Sequence, residues 1–160
     1  MTPISQAEAA GEVKVGPFGG STGTLVDVGS ASQIRRVRIN HGDVIDRLTI
    51  LYVDVNGTSK EFSVGGIGGL ESAFELSDGE HITGVSGSVN SHGGVTCIAR
   101  LYLATSRGIT HGPYGLGGGI PLGRDATPFS FPIDQGMRVG NFFGRGRPFL
   151  VSLGAYLEPN

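Results

Sequence analysis

Gly16-Pro-Phe-Gly-Gly20, Gly65-Gly-Ile-Gly-Gly69 and Gly112-Pro-Tyr-Gly-Leu-Gly-Gly-Gly119 are three glycine clusters in a chain of 160 residues, and their starts lie 49 and then 47 residues apart. The first and third share the reading Gly-Pro-aromatic-Gly. A repeat of this length marks a fold built from copies of one supersecondary unit that cannot bury its apolar face alone. Three such units account for the chain from residue 11 onward. Residues 1–10, Met-Thr-Pro-Ile-Ser-Gln-Ala-Glu-Ala-Ala, fall outside the repeat and are expected to form a flexible tail ahead of one domain over 11–160.

Between the clusters the apolar pattern is that of strands. Ile34-Arg-Arg-Val-Arg-Ile39 and Leu48-Thr-Ile-Leu-Tyr-Val-Asp-Val55 are rich in β-branched and aromatic residues. Asn56-Gly57 separates the second of these from Lys60-Glu-Phe-Ser-Val64, which predicts a tight hairpin turn. Ser72–Leu76, Ile82–Ser86, Arg100–Thr105, Phe129–Ile133 and Leu150–Leu157 continue the series. No segment has a capped 3.6-residue period. The prediction is an all-β chain with pseudo-threefold symmetry, its sheets packed round a common axis as a prism. Ile120–Thr127 reads as a long loop inside the third unit.

Composition narrows the function. Glycine supplies 29 residues, charged residues only 16%, and the net charge is −2. That balance offers no electrostatic attraction to nucleic acid or anionic lipid. The basic cluster Arg35, Arg36 and Arg38 reads as a polar strand face. No apolar run is long enough to cross a membrane, and residues 1–10 lack the pattern of a signal peptide, which points to the cytoplasm. Cys97 is the single cysteine and reads as a small core residue. His41, His81 and His111 are scattered, with no pair at metal-ligand spacing, so no metal and no cofactor is expected. The glycines at 117–119 are followed by no Lys-Ser/Thr, which excludes a phosphate loop.

Several stretches agree in register with one family. Gly16-Pro-Phe-Gly-Gly20, Glu80-His-Ile-Thr-Gly-Val-Ser-Gly87, Gly112-Pro-Tyr-Gly115, Val139-Gly-Asn-Phe-Phe-Gly-Arg145 and Leu153-Gly-Ala-Tyr-Leu-Glu-Pro159 resemble the jacalin-related lectins, the mannose-specific branch above all. The resemblance runs from about residue 11 to 159 with one modest insertion near 120–127. It implies a β-prism I fold of three four-stranded Greek-key sheets and carbohydrate binding without chemistry. In that family a sugar sits between a Gly-x-x-x-Asp loop of one unit and a glycine-rich loop of another. Such a pairing suits a hexose, whose hydroxyls both donate and accept: the carboxylate accepts, the backbone N–H groups donate, and glycine lets the backbone come close.

Three stretches match that loop by resemblance: Gly42-Asp-Val-Ile-Asp46, Gly93-Gly-Val-Thr-Cys97 and Arg147-Pro-Phe-Leu-Val151. Only the first keeps the full pattern. There the resemblance assigns Asp46 to the sugar 4- and 6-hydroxyls and the backbone N–H groups of Asp43 and Val44 to ring or 6-position oxygens. Gly42 shapes the loop, and Gly68 and Gly69 belong to the partner loop, the Gly69 N–H donating to the 3-hydroxyl. Mannose or glucose is expected over galactose. The third loop, the family's usual main site, is expected to be degenerate: Arg147 replaces the glycine, Val151 the aspartate, Pro148 lacks a donor, and Phe149 follows. Its partner glycine, Gly23, is retained. Ser91-His-Gly-Gly94 resembles a loop beside the sugar sites, which makes His92 an accessory contact for an extended glycan.

Asp43 and Asp46 on one tight loop do not suit a glycosidase, whose carboxylates face each other across a cleft about 5–10 Å wide. No enzyme activity is expected. The expected partners are mannose- or glucose-containing glycans or glycoproteins. The resemblance also implies a homodimer or larger homo-oligomer. The alternative reading is a binding-dead β-prism serving as an oligomerisation or protein-interaction module, motivated by the lost main site. The retained Gly42–Asp46 pattern argues against it.

Overall fold

The computed structural model describes residues 13–160; the tail expected over 1–10 lies outside the described residues. The chain order is β1 (Val13–Gly19), β2 (Thr24–Val26), β3 (Gln33–His41), β4 (Ile45–Val53), β5 (Ser59–Gly65), β6 (Leu70–Glu75), β7 (Ile82–His92), β8 (Val95–Thr105), β9 (Thr110–Tyr114), β10 (Thr127–Ser130), β11 (Met137–Gly146) and β12 (Leu150–Pro159). They pair antiparallel into three four-stranded sheets, ordered β5-β4-β3-β6, β10-β7-β8-β9 and β1-β12-β11-β2. Each is the same Greek key, so β3, β7 and β11 are equivalent, as are β4, β8 and β12. Among the described residues no helix is long and apolar enough to cross a membrane.

The unit boundaries differ from those the glycine clusters suggested. Two sheets are continuous in sequence, while the third joins β1 and β2 to β11 and β12 from the far end of the chain. Each glycine cluster falls inside a sheet, between its third and fourth strands, and does not begin one. The split sheet is tied across its own ends: Asp27 accepts the Tyr156 hydroxyl at 2.9 Å and the Lys14 ammonium at 3.2 Å, and Asn141 donates to the Gly29 carbonyl. The 120–127 insertion belongs to the β9–β10 connection, in the second sheet.

The core lies where the three inner faces meet. Val37, Ile39, Leu48 and Ile50 of one sheet, Ile98, Leu101 and Leu103 of another, and Phe142, Leu150 and Leu153 of the third are fully buried together. Burial of such side chains stabilises by about 1.5–3 kcal/mol each. β3 shows how the sequence reaches this arrangement. Ile34 and Val37 are three apart, out of phase for a regular strand, and a bulge between Ile34 and Arg36 turns both inward. Arg35, Arg36 and Arg38 then face outward, paired with Asp78, Glu75 and the Glu61/Glu71 carboxylates. The Asn56-Gly57 hairpin is present, but its loop spans residues 54–58 and is organised by Asp54, whose carboxylate accepts the N–H groups of Asn56 and Thr58.

One acid is held inside. Glu80 is buried, and the Thr105 hydroxyl at 2.6 Å and the Ser77 N–H at 2.8 Å hold its carboxyl below the usual range. It joins the start of the second sheet to the end of β8.

Candidate functional site

The three hairpins β3–β4, β7–β8 and β11–β12 are equivalent by register, and the second is five residues longer than the other two. Asn40 pairs with Arg47, Ser88 with Arg100, and Arg145 with Ser152, and the same bulge follows each pair, at Asn40/His41, Ser88/Val89 and Arg145/Gly146. Two of the loops repeat one internal bond, Gly42 N–H to the Val44 carbonyl and Arg147 N–H to the Phe149 carbonyl. The acid position of the second hairpin therefore lies two residues later than the sequence suggested. Ala99, not Cys97, stands where Asp46 stands: the carbonyls of Asp46, Ala99 and Val151 accept from the glycine loops, through the N–H groups of Gly66, Gly117 and Gly20. His92 lies in the extra length of the second hairpin. Cys97 points inward and is fully buried, and burial pushes its thiol up to about 11.

The first loop and the 65–69 loop meet within one sheet. Asp46 is half-buried at the start of β4, and its carboxylate lies against Gly42, Gly68 and Gly69. Gly69, at φ +79°, has no room for a side chain: a Cβ there would lie 2.5 Å from Asp46 Oδ2 and 2.8 Å from the His41 nitrogen. Among the described residues no hydrogen bond reaches the Asp46 carboxylate, and the N–H groups of Asp43, Val44, Gly68 and Gly69 have no partner. Burial lifts the Asp46 carboxyl above the usual aspartate range; His41 opposes the rise, Asp43 adds to it, and His92 opposes it. The result is an acceptor with free lone pairs, ringed by free donors, in a shallow setting that water has partly left.

The loop is held from below and from the side. Val44 is buried against Cys97 and Ala99, with Phe149 packed on the same small cluster. The β9–β10 connection lies alongside, its Leu116 and Gly118 N–H groups donating to the Gly42 and Asp43 carbonyls at 3.1 and 2.8 Å. Buried Asn90 fixes that connection through the Gly117 and Arg124 carbonyls. Nothing in the sequence singled out Asn90 or Gly118 for this task, because each acts through a backbone contact between distant segments. His92 lies beside the loop, its Nε2 3.6 Å from Asp43 Oδ2 and its ring tilted against Phe149.

The third loop is built differently. Arg147 sits at φ +81°, whereas Gly42 in the equivalent place needs no positive φ. Arg147 and Pro148 are exposed, Phe149 is half-buried, and Val151 is 0% exposed, enclosed beneath Gly20. Gly23 closes on the backbone of Gly146, with its carbonyl accepting from Arg145 at 3.0 Å. The side chain at the acceptor position of this loop is thus enclosed by the protein.

A Jacalin-like lectin domain model matches residues 15–156. Horcolin of Hordeum vulgare is 33% identical, with the alignment covering 92% of this chain and 97% of horcolin. Jacalin-related lectin 19 of Arabidopsis thaliana is 36% identical over 91% of this chain and 80% of its own length. Among solved structures, wild-type Malaysian banana lectin superposes with a TM-score of 0.83 at 38% identity, covering 94% of this chain and all of that one. A mannose-binding jacalin-related lectin from Ananas comosus gives 0.79 at 32% identity, covering 94% and 99%. The three-sheet architecture is the β-prism I of these lectins.

Proposed function

Because the chain belongs to the jacalin-like lectin family, we propose that it binds mannose- or glucose-type glycans at the 42–46 and 65–69 loops, through one lectin domain over 11–160. The observation that carries this reading is the Asp46 carboxylate, half-buried, without a protein partner and framed by Gly42, Gly68 and Gly69. Asp46 accepts from two sugar hydroxyls, while the N–H groups of Asp43, Val44 and Gly69 donate to neighbouring oxygens. An axial 4-hydroxyl points away from that acceptor, so galactose is disfavoured. His92, beside Asp43, touches the next residue of an extended glycan. The third loop contributes no sugar site, since Arg147, Pro148 and Val151 remove its glycine, its donor and its acid. The family's proteins are carbohydrate binders, and the arrangement grips a ligand without transforming it.

Calorimetric titration with methyl α-mannoside tests the reading. One site per chain near millimolar affinity is expected, about −4 kcal/mol, with no heat from methyl α-galactoside. Two sites per chain, or equal binding of the galactoside, would count against it.

So weak a site needs avidity to hold a cell-surface glycan. We infer that the protein works as a homodimer or larger homo-oligomer. Light scattering that returns a monomer mass at micromolar concentration would sink that inference.

A further inference from the structure

The pseudo-symmetry of the prism makes three equivalent clefts, each between a glycine-rich loop of one sheet and a hairpin loop of the next. Their contents differ. One is closed by the 115–126 connection, which packs on Gly42–Val44. The second, between Gly19–Thr22 and Gly94–Thr96, is lined by small neutral residues. The third, about 390 Å³, is lined by Gly65, Gly66, Ile67, Arg147, Pro148, Phe149 and Arg47. A neighbouring depression of about 300 Å³ shares Arg47, Gly65 and Arg147.

Two cations therefore face one cleft, and its lining contains no acid. Among the described residues neither guanidinium has a carboxylate within ion-pair distance, and the Arg47 Nε is buried with no hydrogen-bond partner. A buried unpartnered donor is rare in a finished fold and points to a missing acceptor. By symmetry Arg100 and Ser152 stand in the place of Arg47, but the Arg100 guanidinium donates to the Gly115 and Leu116 carbonyls and Ser152 is buried, so among the described residues Arg47 is the one of the three that is a cation without such partners. Arg147 adds a second sign: a non-glycine side chain is kept at φ +81°, a conformation such residues rarely hold. Across from the arginines, Ile67, which is 89% exposed, Pro148 and Phe149 make an apolar wall.

We propose that this cleft binds an anionic saccharide unit, its carboxylate or sulfate held by Arg47 and Arg147 and its C–H face laid on Phe149 and Ile67. A guanidinium pairs with either oxyanion through two parallel N–H donors. The same 65–69 loop has Gly68 and Gly69 against Asp46 and Gly66 and Ile67 in the cleft, so neutral and acidic units of one glycan chain would flank it. The proposal rests on the lectin reading only in taking the anion to be carried by a sugar.

The test follows the Arg47 and Arg147 side-chain Nε–Hε resonances by NMR during titration of the whole protein with galacturonate, galactose 6-sulfate, galactose and inorganic sulfate. The galactose scaffold keeps the Asp46 site out of the measurement. Either acidic sugar should move both resonances at an affinity at least tenfold above galactose, and raising salt from about 20 to about 300 mM should weaken it. Which of the two binds tighter identifies the anion as uronate or sulfate ester. Arg47→Gln and Arg147→Gln should each lose tenfold or more. Arg147→Gly serves as the folding control: it should raise the melting temperature by freeing the backbone while losing the anion. Unmoved arginine resonances, or galactose binding as well as its acidic forms, overturn the proposal. Inorganic sulfate binding as tightly as galactose 6-sulfate overturns the saccharide assignment. A failed mannoside titration would overturn the lectin reading alone and leave these resonances to decide this one.

Discussion

Asp46→Asn should abolish binding of methyl α-mannoside while leaving the protein folded. Two hydroxyls donating to a carboxylate contribute about 1.5–3 kcal/mol each, against roughly 0.5–1.5 for bonds to a neutral acceptor. Asparagine also turns one oxygen into an NH2 that faces a donor. A loss of about 3 kcal/mol is more than a hundredfold, and a millimolar site weakened that far gives no measurable heat. Stability should move the other way. Burial raises the Asp46 carboxyl in the folded state, so its ionised form opposes folding once pH exceeds the unfolded value, and stability is regained as pH falls through the raised one. The asparagine variant should thus melt at or above the native temperature at pH 7, and its advantage should shrink in acid. Mannoside binding by the native chain needs the ionised form, so it should fail on acidification earlier than an ordinary aspartate near 3.9 would predict. A variant that binds like the native chain would show that the sugar does not use this carboxylate.

How much of this was legible in the chain depends on the range of the interaction. The glycine clusters and the Ile34/Val37/Ile39 phase slip are local, and each exposes its reason in the structure: at Gly65, φ +131°, a side chain would run into the backbone of Asp46 and Arg47. The pairing of 42–46 with 65–69 was legible through resemblance, because both loops kept their pattern. The unit boundaries were not, since closing the prism joins the two ends of the chain in one sheet, and no local signal records that. The second loop misleads because Gly93 offers a glycine at the expected spacing from Cys97, whereas the longer β7–β8 hairpin puts Ala99 at the acid position. Arg47 drew no attention at all. It lies in an ordinary strand, and only the approach of the 147–149 loop from another sheet gives it a cleft to face. Local conformation was written in single segments, and the chemistry between sheets was not.

Val151→Asp restores the missing acid of the third loop on paper, yet it should cost stability and bring no second sugar site. Asp46 is tolerated because Gly68 and Gly69 leave its carboxylate partly in water. Val151, 0% exposed beneath Gly20, has no such outlet. A carboxylate enclosed there meets the several-kcal/mol desolvation penalty of an unpaired ion. A loss of about 3 kcal/mol or more is expected, read in a domain of this size as a melting temperature roughly 6–12 °C lower. The deficit should shrink as pH falls, because protonating the introduced carboxyl removes the charge that burial opposes. Mannoside stoichiometry should stay at one per chain, since Pro148 still lacks the donor and the acceptor position still faces inward. A rise to two sites would mean that the acid alone had been missing, and that the enclosure of Val151 yields to a ligand. With one site and a lowered melting temperature, the third loop is closed by its packing, and no single substitution at the acid position reopens it.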